Sequence, residues 1–129
     1  MASKDPITCH VLDTTAGRPA SGITVRLEGP QPASSSGSAT SVSSSTYEAI
    51  TDSDGRVKTW KSPGPVLTEV MAAAKGATRW TLRFDTEAYF GEGKTFFPEA
   101  TVVFRVEEGQ GYHVPLLLSP FSYTTYRGS

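Results

Sequence analysis

The sequence is poor in the features that would support a disulfide-bonded, membrane-spanning or strongly charged protein. Its 129 residues include a single cysteine, Cys9, which excludes an internal disulfide and fits a reducing compartment. No apolar run approaches the roughly 20 residues of a membrane-spanning helix, and the opening MASKDPITCH lacks the apolar core of a secretory signal. The formal net charge is −1, so neither nucleic acid nor an anionic membrane is an expected partner.

Short stretches of alternating apolar and polar residues dominate the sequence and predict β-strands. They lie at 7–12, 23–28, 47–50, 56–60, 79–85, 99–106, 113–118 and 121–127. Helix is scarce: 86–91 predicts one short helix, capped by Asp85 or Thr86 and closed by Gly91, and 70–75 could add a further turn. The pattern predicts an all-β, eight-stranded antiparallel sandwich that forms a single domain over 1–129.

One segment breaks the strand pattern. Residues 30–46, PQPASSSGSATSVSSST, are rich in serine and contain too little apolar surface to order themselves. Because sandwich strands continue on both sides, we interpret this segment as a mobile loop insertion and not as a domain boundary.

The strand predicted at 113–118, HVPLLL, is apolar on both faces. A sandwich strand with one face in solvent should carry polar residues there, so something is expected to cover the outer face. A second copy of the chain is the most economical cover, which predicts an oligomer with His113 at or near its interface. Pro115 further suggests a sheet edge or a position that does not need an amide donor.

The sequence contains two histidines, His10 and His113, both in predicted strands. Alternation places Cys9 and Val11 towards the core, so His10 should point outward. Two interpretations stay open: half-buried histidines that hydrogen-bond to the backbone, or a pair of imidazoles that transfer protons near neutral pH. Neither the adjacent Cys9–His10 pair nor the DSDG turn at 52–55 has the ligand spacing of a zinc or calcium site.

Two arginines are of interest for binding. Arg56 begins a predicted strand directly after the turn that ends at Gly55, and Arg127 lies next to the end of the sequence. A fixed guanidinium can bind a planar acid or amide through two hydrogen bonds, although most arginines at such positions are solvated surface groups. The sequence has no GxSxG nucleophile elbow and no phosphate-binding glycine loop.

Four stretches make the sequence recognisable. HVLDTTAGRPASGITVRL at 10–27 resembles the opening of the transthyretin-like family, and TDSDGR at 51–56 is a turn common in such modules. LLLSPFSYTT at 116–125 is similar to transthyretin and its relatives, and the ending YRGS at 126–129 resembles the terminal signature of the 5-hydroxyisourate hydrolases, the purine-degrading branch. The resemblance covers most of 7–129 apart from the serine-rich insertion.

This resemblance implies a transthyretin-like (prealbumin-like) sandwich that assembles as a homotetramer around a central channel, with active sites at subunit interfaces. It also implies hydrolysis of the small molecule 5-hydroxyisourate to 2-oxo-4-hydroxy-4-carboxy-5-ureidoimidazoline in urate degradation, without a metal or organic cofactor. Purine breakdown fits either the cytoplasm or the peroxisome. The implied site residues are His10, Arg56, His113, Tyr126, Arg127, Gly128 and Ser129.

The resemblance also implies roles for these residues. His10 or His113 activates water and the other orients the water or the substrate, while Arg56 stabilises the developing negative charge. Arg127 holds a polar edge of the substrate within a binding tail of Tyr126, Arg127 and Gly128, and Ser129 hydrogen-bonds water or an imidazole. We expect this tail to end inside the site, where additional residues would occupy the space of the substrate.

Two other functions compete with the hydrolase. A transthyretin-type carrier would bind aromatic small molecules in the tetramer channel, but His113 in an otherwise apolar strand face and the YRGS ending argue against it. A prealbumin-like adhesion or scaffold module would need neither both histidines nor a free C-terminal tail.

Overall fold

The computed structural model describes residues 4–32 and 45–128, which form two β-sheets that share one core. The strands are β1 (Ile7–Asp13), β2 (Arg18–Pro19), β3 (Thr24–Pro32), β4 (Ser45–Ile50), β5 (Arg56–Val57), β6 (Thr78–Phe84), β7 (Ala100–Val106), β8 (Tyr112–Ser119) and β9 (Ser122–Thr125). All eight predicted strands are present, and the two-residue β2 is an addition. The all-β prediction is therefore confirmed.

Two short helices occur, α1 (Leu67–Ala73) and α2 (Thr86–Phe90). The second is the predicted short helix: the Asp85 side chain accepts a hydrogen bond from the N–H of Ala88 at 3.2 Å, and Gly91 follows its last turn. The first begins before the turn that was expected at 70–75. No helix in the described part of the chain is long and apolar enough to span a membrane.

The first sheet is built around β1. It has the order β2-β1-β8-β9, and β5 also pairs with β1. The second sheet has the order β4-β3-β6-β7 and is antiparallel throughout. The expectation of a wholly antiparallel sandwich was wrong for one pair, because β1 and β8 run parallel. Pro115 lies in β8, which is between β1 and β9 and is not an edge strand. Of the two alternatives for this proline, the sheet edge is therefore excluded, and a position that does not need an amide donor remains.

The core lies between the two sheets and is filled by alternate residues of their strands. β1 contributes Ile7, Cys9 and Val11, and the largest fully buried side chain is Trp80 of β6. Burial raises the pKa of the Cys9 thiol to about 12, so this cysteine behaves as a small apolar core residue.

Strand residues occupy part of the serine-rich segment that the sequence predicts to be a loop. β3 extends to Pro32 and β4 begins at Ser45, so ordered strand residues occupy both ends of the predicted 30–46 insertion. Residues 33–44 lie outside the described residues.

The strand alternation leaves a second set of side chains on the outer face of the first sheet. Thr8 and His10 of β1 alternate with the core residues, as do His113 and Leu117 of β8. Because β1 and β8 are paired with Thr8 opposite His113, these side chains meet on one face. The prediction that His10 points away from the core is confirmed.

Candidate active site

A tight turn positions Arg56 at the start of β5. The Asp52 carboxylate accepts hydrogen bonds from the N–H groups of Asp54 at 2.9 Å and Arg56 at 3.0 Å. The backbone N–H of Asp52 donates in return to the carbonyl of Arg56 at 3.0 Å. The Arg56 N–H is the main reason that the pKa of Asp52 is lowered, so the carboxylate keeps this role at neutral pH.

Gly55 lets the same turn dock against β1. Its φ of +73° lies in the left-handed region, and a Cβ at this position would lie 2.4 Å from the Val11 carbonyl oxygen. The Val11 N–H donates to the Gly55 carbonyl at 2.7 Å, which fixes the turn on the strand that carries His10. A side chain at residue 55 would therefore push the turn away from β1.

Arg56 lies directly opposite His10 where β5 pairs with β1. Burial, and then the positive charge of Arg56, lower the pKa of the half-buried His10 imidazole. A backbone hydrogen bond with Asp54 partly opposes these effects. His10 is accordingly a neutral imidazole at neutral pH, with a guanidinium beside it.

His113 of β8 is the second imidazole of this face. The His10 and His113 ring centroids are 6.3 Å apart with 31° between their planes. Burial lowers the pKa of His113, followed by the charges of Arg56, His10 and Lys4. The sequence-predicted residues His10, Arg56 and His113 are thus brought together, although they come from three different strands.

Thr8 is a residue of this site that sequence reasoning missed. Its Oγ1 lies 2.8 Å from Nδ1 of His113, and the residue is only 7% exposed. Its position two residues before His10 could have identified it, because this spacing places both side chains on the same face of β1. The partner strand and its direction are needed as well, and these come from the fold.

The C-terminal tail lies against His113. The Gly128 N–H donates to the His113 carbonyl at 2.8 Å, which forms an isolated antiparallel bridge. A Cβ on residue 128 would lie 2.8 Å from Cδ2 of His113 and 3.0 Å from Cγ of Pro115. Only glycine allows the tail to approach the imidazole this closely. Ser129, a predicted site residue, lies outside the described residues.

The other two tail residues lie to one side of the histidine pair. The Arg127 guanidinium stacks 4.7 Å from the centre of the Tyr112 ring and donates to Oε1 of Gln110 at 3.1 Å. Tyr126 is 58% exposed. Both residues line a cavity of about 280 Å³ together with Tyr112 and His113.

A second cavity, of about 300 Å³, lies at the start of β1. Thr8, His113 and Gly128 line it, and so does Lys4. His113 therefore borders both cavities, whereas His10 borders neither of the two.

These residues can support proton transfer beside a positive charge. Two neutral imidazoles can accept a proton from water, and a guanidinium next to them can stabilise an oxyanion. Within 4–32 and 45–128 there is no group of three or more His, Cys, Asp or Glu side chains that could hold a metal ion.

Known proteins are similar to this chain in both sequence and fold. It is 43% identical over 98% of its length to the uric acid degradation bifunctional protein TTL of Arabidopsis thaliana, of which it spans 38%. It is 37% identical to the probable 5-hydroxyisourate hydrolase of Schizosaccharomyces pombe, over the full length of both chains.

Two solved structures resemble the fold. The Klebsiella pneumoniae 5-hydroxyisourate hydrolase gives a TM-score of 0.64 at 29% identity, covering 95% of this chain and 98% of that one. Sea bream transthyretin in complex with thyroxine gives 0.67 at 27% identity, covering 96% and 95%. The model of one family, described as the HIUase/Transthyretin family, matches residues 7–128. The chain belongs to the HIUase/Transthyretin family.

Proposed function

We propose that this protein is a 5-hydroxyisourate hydrolase. The observation that carries the proposal is the pair of imidazoles 6.3 Å apart on one sheet face, with Arg56 paired opposite His10. The lowered pKa values of both histidines support it, because a general base must be unprotonated at the working pH. The relative from fission yeast carries the same activity in its name.

The reaction begins with a water molecule beside the imidazole pair. His10 or His113 takes one proton from this water, and the oxygen bonds to a ring carbonyl carbon of the substrate. The carbonyl π electrons move to oxygen and leave a negative charge that the Arg56 guanidinium stabilises. The base contributes about 10²–10⁴-fold to such a step, and an oxyanion donor about 10²–10³-fold.

Ring opening completes the hydrolysis. The bond between the former carbonyl carbon and the ring nitrogen breaks, and the imidazolium returns its proton to that nitrogen. The products of the cleavage are a carboxylate and a ureido group in one molecule, 2-oxo-4-hydroxy-4-carboxy-5-ureidoimidazoline. Tyr126, Arg127 and Gly128 hold the substrate from the tail side, and Ser129 hydrogen-bonds the water or an imidazole. The proposed mechanism requires no metal or organic cofactor.

The transthyretin-type carrier is the second candidate, and a specific observation favours it. The similarity to thyroxine-bound sea bream transthyretin is as high as that to the bacterial hydrolase, with TM-scores of 0.67 and 0.64. Backbone similarity therefore does not separate the two functions. We favour the hydrolase because a channel that binds aromatic molecules has no need of two neutral imidazoles paired with a guanidinium.

We further propose a homotetramer with active sites at subunit interfaces. Support comes from β7 and β9, which are edge strands of the two described sheets, and from large apolar side chains near them: Val103 is 55% exposed and Phe121 is 75% exposed. The proposed compartment is the cytoplasm or the peroxisome, which the single buried Cys9 supports.

An ultraviolet assay tests the hydrolase. Urate oxidase generates 5-hydroxyisourate in the cuvette, and its decay is followed with and without the protein. We expect fast decay with the wild-type chain and loss of the acceleration in His113→Asn and in a chain that lacks 127–129, at unchanged oligomeric state. A folded wild-type oligomer that does not accelerate decay over buffer would exclude the hydrolase and favour the carrier.

A further inference from the structure

The strongest unassigned contact of the site is the one between Thr8 and His113. Thr8 Oγ1 lies 2.8 Å from Nδ1, and the threonine is buried. We propose that Thr8 is a positioning residue that holds His113 as the Nδ1–H tautomer, so that Nε2 of His113 is the base that activates water. The proposal rests on the hydrolase function and names the histidine that begins the reaction.

The hydrogen atoms at this contact can be counted. A threonine hydroxyl has one hydrogen to donate and can accept others. The Tyr112 carbonyl, a pure acceptor, lies 3.5 Å from Oγ1. When the hydroxyl hydrogen is directed to this carbonyl, Oγ1 faces Nδ1 with a lone pair, and Nδ1 must carry the ring hydrogen. Nε2 of the neutral ring is then unprotonated.

The same contact suits the protonated ring. After His113 takes a proton from water, both ring nitrogens carry hydrogen, and Nδ1–H still donates to Oγ1. The contact therefore needs no rearrangement during the reaction, which is what a group that orients a base should provide. Among residues 4–32 and 45–128, the side-chain hydrogen bond of His113 is made through Nδ1 to Thr8, so the proposal assigns Nε2 to the water.

The surroundings of the two rings favour His113 as the base over His10. His113 borders the two cavities beside the tail, and His10 borders neither. The Gly128 N–H also holds the backbone of His113, so the imidazole is fixed both at Nδ1 and through its main chain. The charged or titratable groups that act on it are Arg56, His10 and Lys4, all of which oppose its protonation.

Three threonine variants test the proposal by activity. Thr8→Val keeps the shape of the side chain and removes the hydroxyl, whereas Thr8→Ser keeps the hydroxyl. Thr14→Val is the matched control, because Thr14 Oγ1 donates to the Leu118 carbonyl of the same strand β8 at 3.2 Å and does not contact a histidine. We expect kcat to fall about 10- to 100-fold in Thr8→Val at unchanged KM, with Thr8→Ser and Thr14→Val close to wild type.

Nitrogen NMR supplies a readout that a purely structural role would not move. With only two histidines in the chain, ¹⁵N-histidine labelling gives two ring spin systems, which His10→Asn assigns. We expect His113 to be the Nδ1–H tautomer at neutral pH in wild type and Thr8→Ser, and a mixture of tautomers in Thr8→Val. An Nε2–H tautomer in wild type, or full kcat in Thr8→Val, would overturn the proposal.

The two measurements also separate this inference from the hydrolase itself. The tautomer is observed without substrate, so a wild-type protein that shows the Nδ1–H tautomer but no hydrolysis would refute the function and leave the Thr8 contact standing. Active wild-type protein with a His113 tautomer that does not respond to Thr8→Val would refute the contact and leave the function standing.

Discussion

Arg56 and His10 are cross-strand neighbours, paired opposite each other where the two-residue β5 meets β1. The Asp52 carboxylate accepts a hydrogen bond from the backbone N–H of Arg56. The positive charge of Arg56 lowers the pKa of both histidines. Under the proposed mechanism, the same residue also stabilises the oxyanion.

Replacement of Arg56 separates these two effects. In Arg56→Met we expect the pKa values of both histidines to rise, because the opposing charge is lost, and kcat to fall about 10²–10³-fold. In Arg56→Lys the pKa values should stay low while part of the activity is lost, since an ammonium lacks the forked donors of a guanidinium. NMR titration and the ultraviolet assay measure the two quantities.

Arg26→Gln is a suitable control for that pair. Arg26 lies on β3 of the other sheet in an exposed ion pair with Glu48. It should leave both the histidine titration and kcat unchanged. Histidine pKa values that do not move in Arg56→Met would contradict the electrostatic role of Arg56.

Gly128→Ala tests whether the close approach of the tail matters. The added methyl would lie 2.8 Å from Cδ2 of His113, so the tail must move away from the imidazole. We expect kcat to fall about tenfold or more, because small displacements in an active site are costly, with little change in Tm. Gly64→Ala, whose new Cβ would meet only Oγ of Ser62 at 3.9 Å, is the matched glycine control. Unchanged kcat would show that the tail position is irrelevant to the reaction.

The histidine pKa values also predict how stability depends on pH. Both are lower in the folded chain than the usual value near 6.5, so the unfolded state binds protons more readily. Their contribution is fully present above about pH 6.5 and is lost as the pH falls through the folded-state values. We expect the free energy of unfolding, measured with urea from pH 8 to pH 5, to decrease.

The double variant His10→Asn, His113→Asn identifies the source of that decrease. Without imidazoles the unfolding free energy should become flatter across the same range. A slope equal to that of wild type would assign the pH dependence to other groups and argue against lowered histidine pKa values.

Alternation along the chain was enough to predict most of the fold and the core of the candidate site. It located all eight strands and placed His10 outside the core, because a period of two identifies which residues share a face. The position of Arg56 after the Gly55 turn and of His113 in an apolar strand marks both as candidates, and the resemblance assigns them to one site with His10. The structure brings the three together.

The rest depended on information that alternation does not contain. The alternation of side chains along a strand does not reveal the direction of the strand or its partner, so the parallel pairing of β1 with β8 could not be predicted. The Thr8–His113 contact follows from this pairing and could not be predicted either. Likewise, an isolated arginine in a tail gives no indication of the Tyr112 ring on which Arg127 stacks. These features arise from tertiary packing.

We expect the Asp52 carboxylate to support activity because it stabilises the turn that precedes Arg56. Asp52→Ala removes the acceptor of two backbone hydrogen bonds, from Asp54 and Arg56. We expect the free energy of unfolding to fall by about 1 kcal/mol, the net value of an exposed hydrogen bond, and kcat to fall about tenfold as Arg56 loses its fixed position. Asp52→Asn keeps an acceptor oxygen and should restore most of both quantities, whereas Ser53→Ala in the same turn should change neither. If Asp52→Ala lowered stability while kcat stayed at the wild-type value, the turn would hold the fold without positioning Arg56 for the reaction.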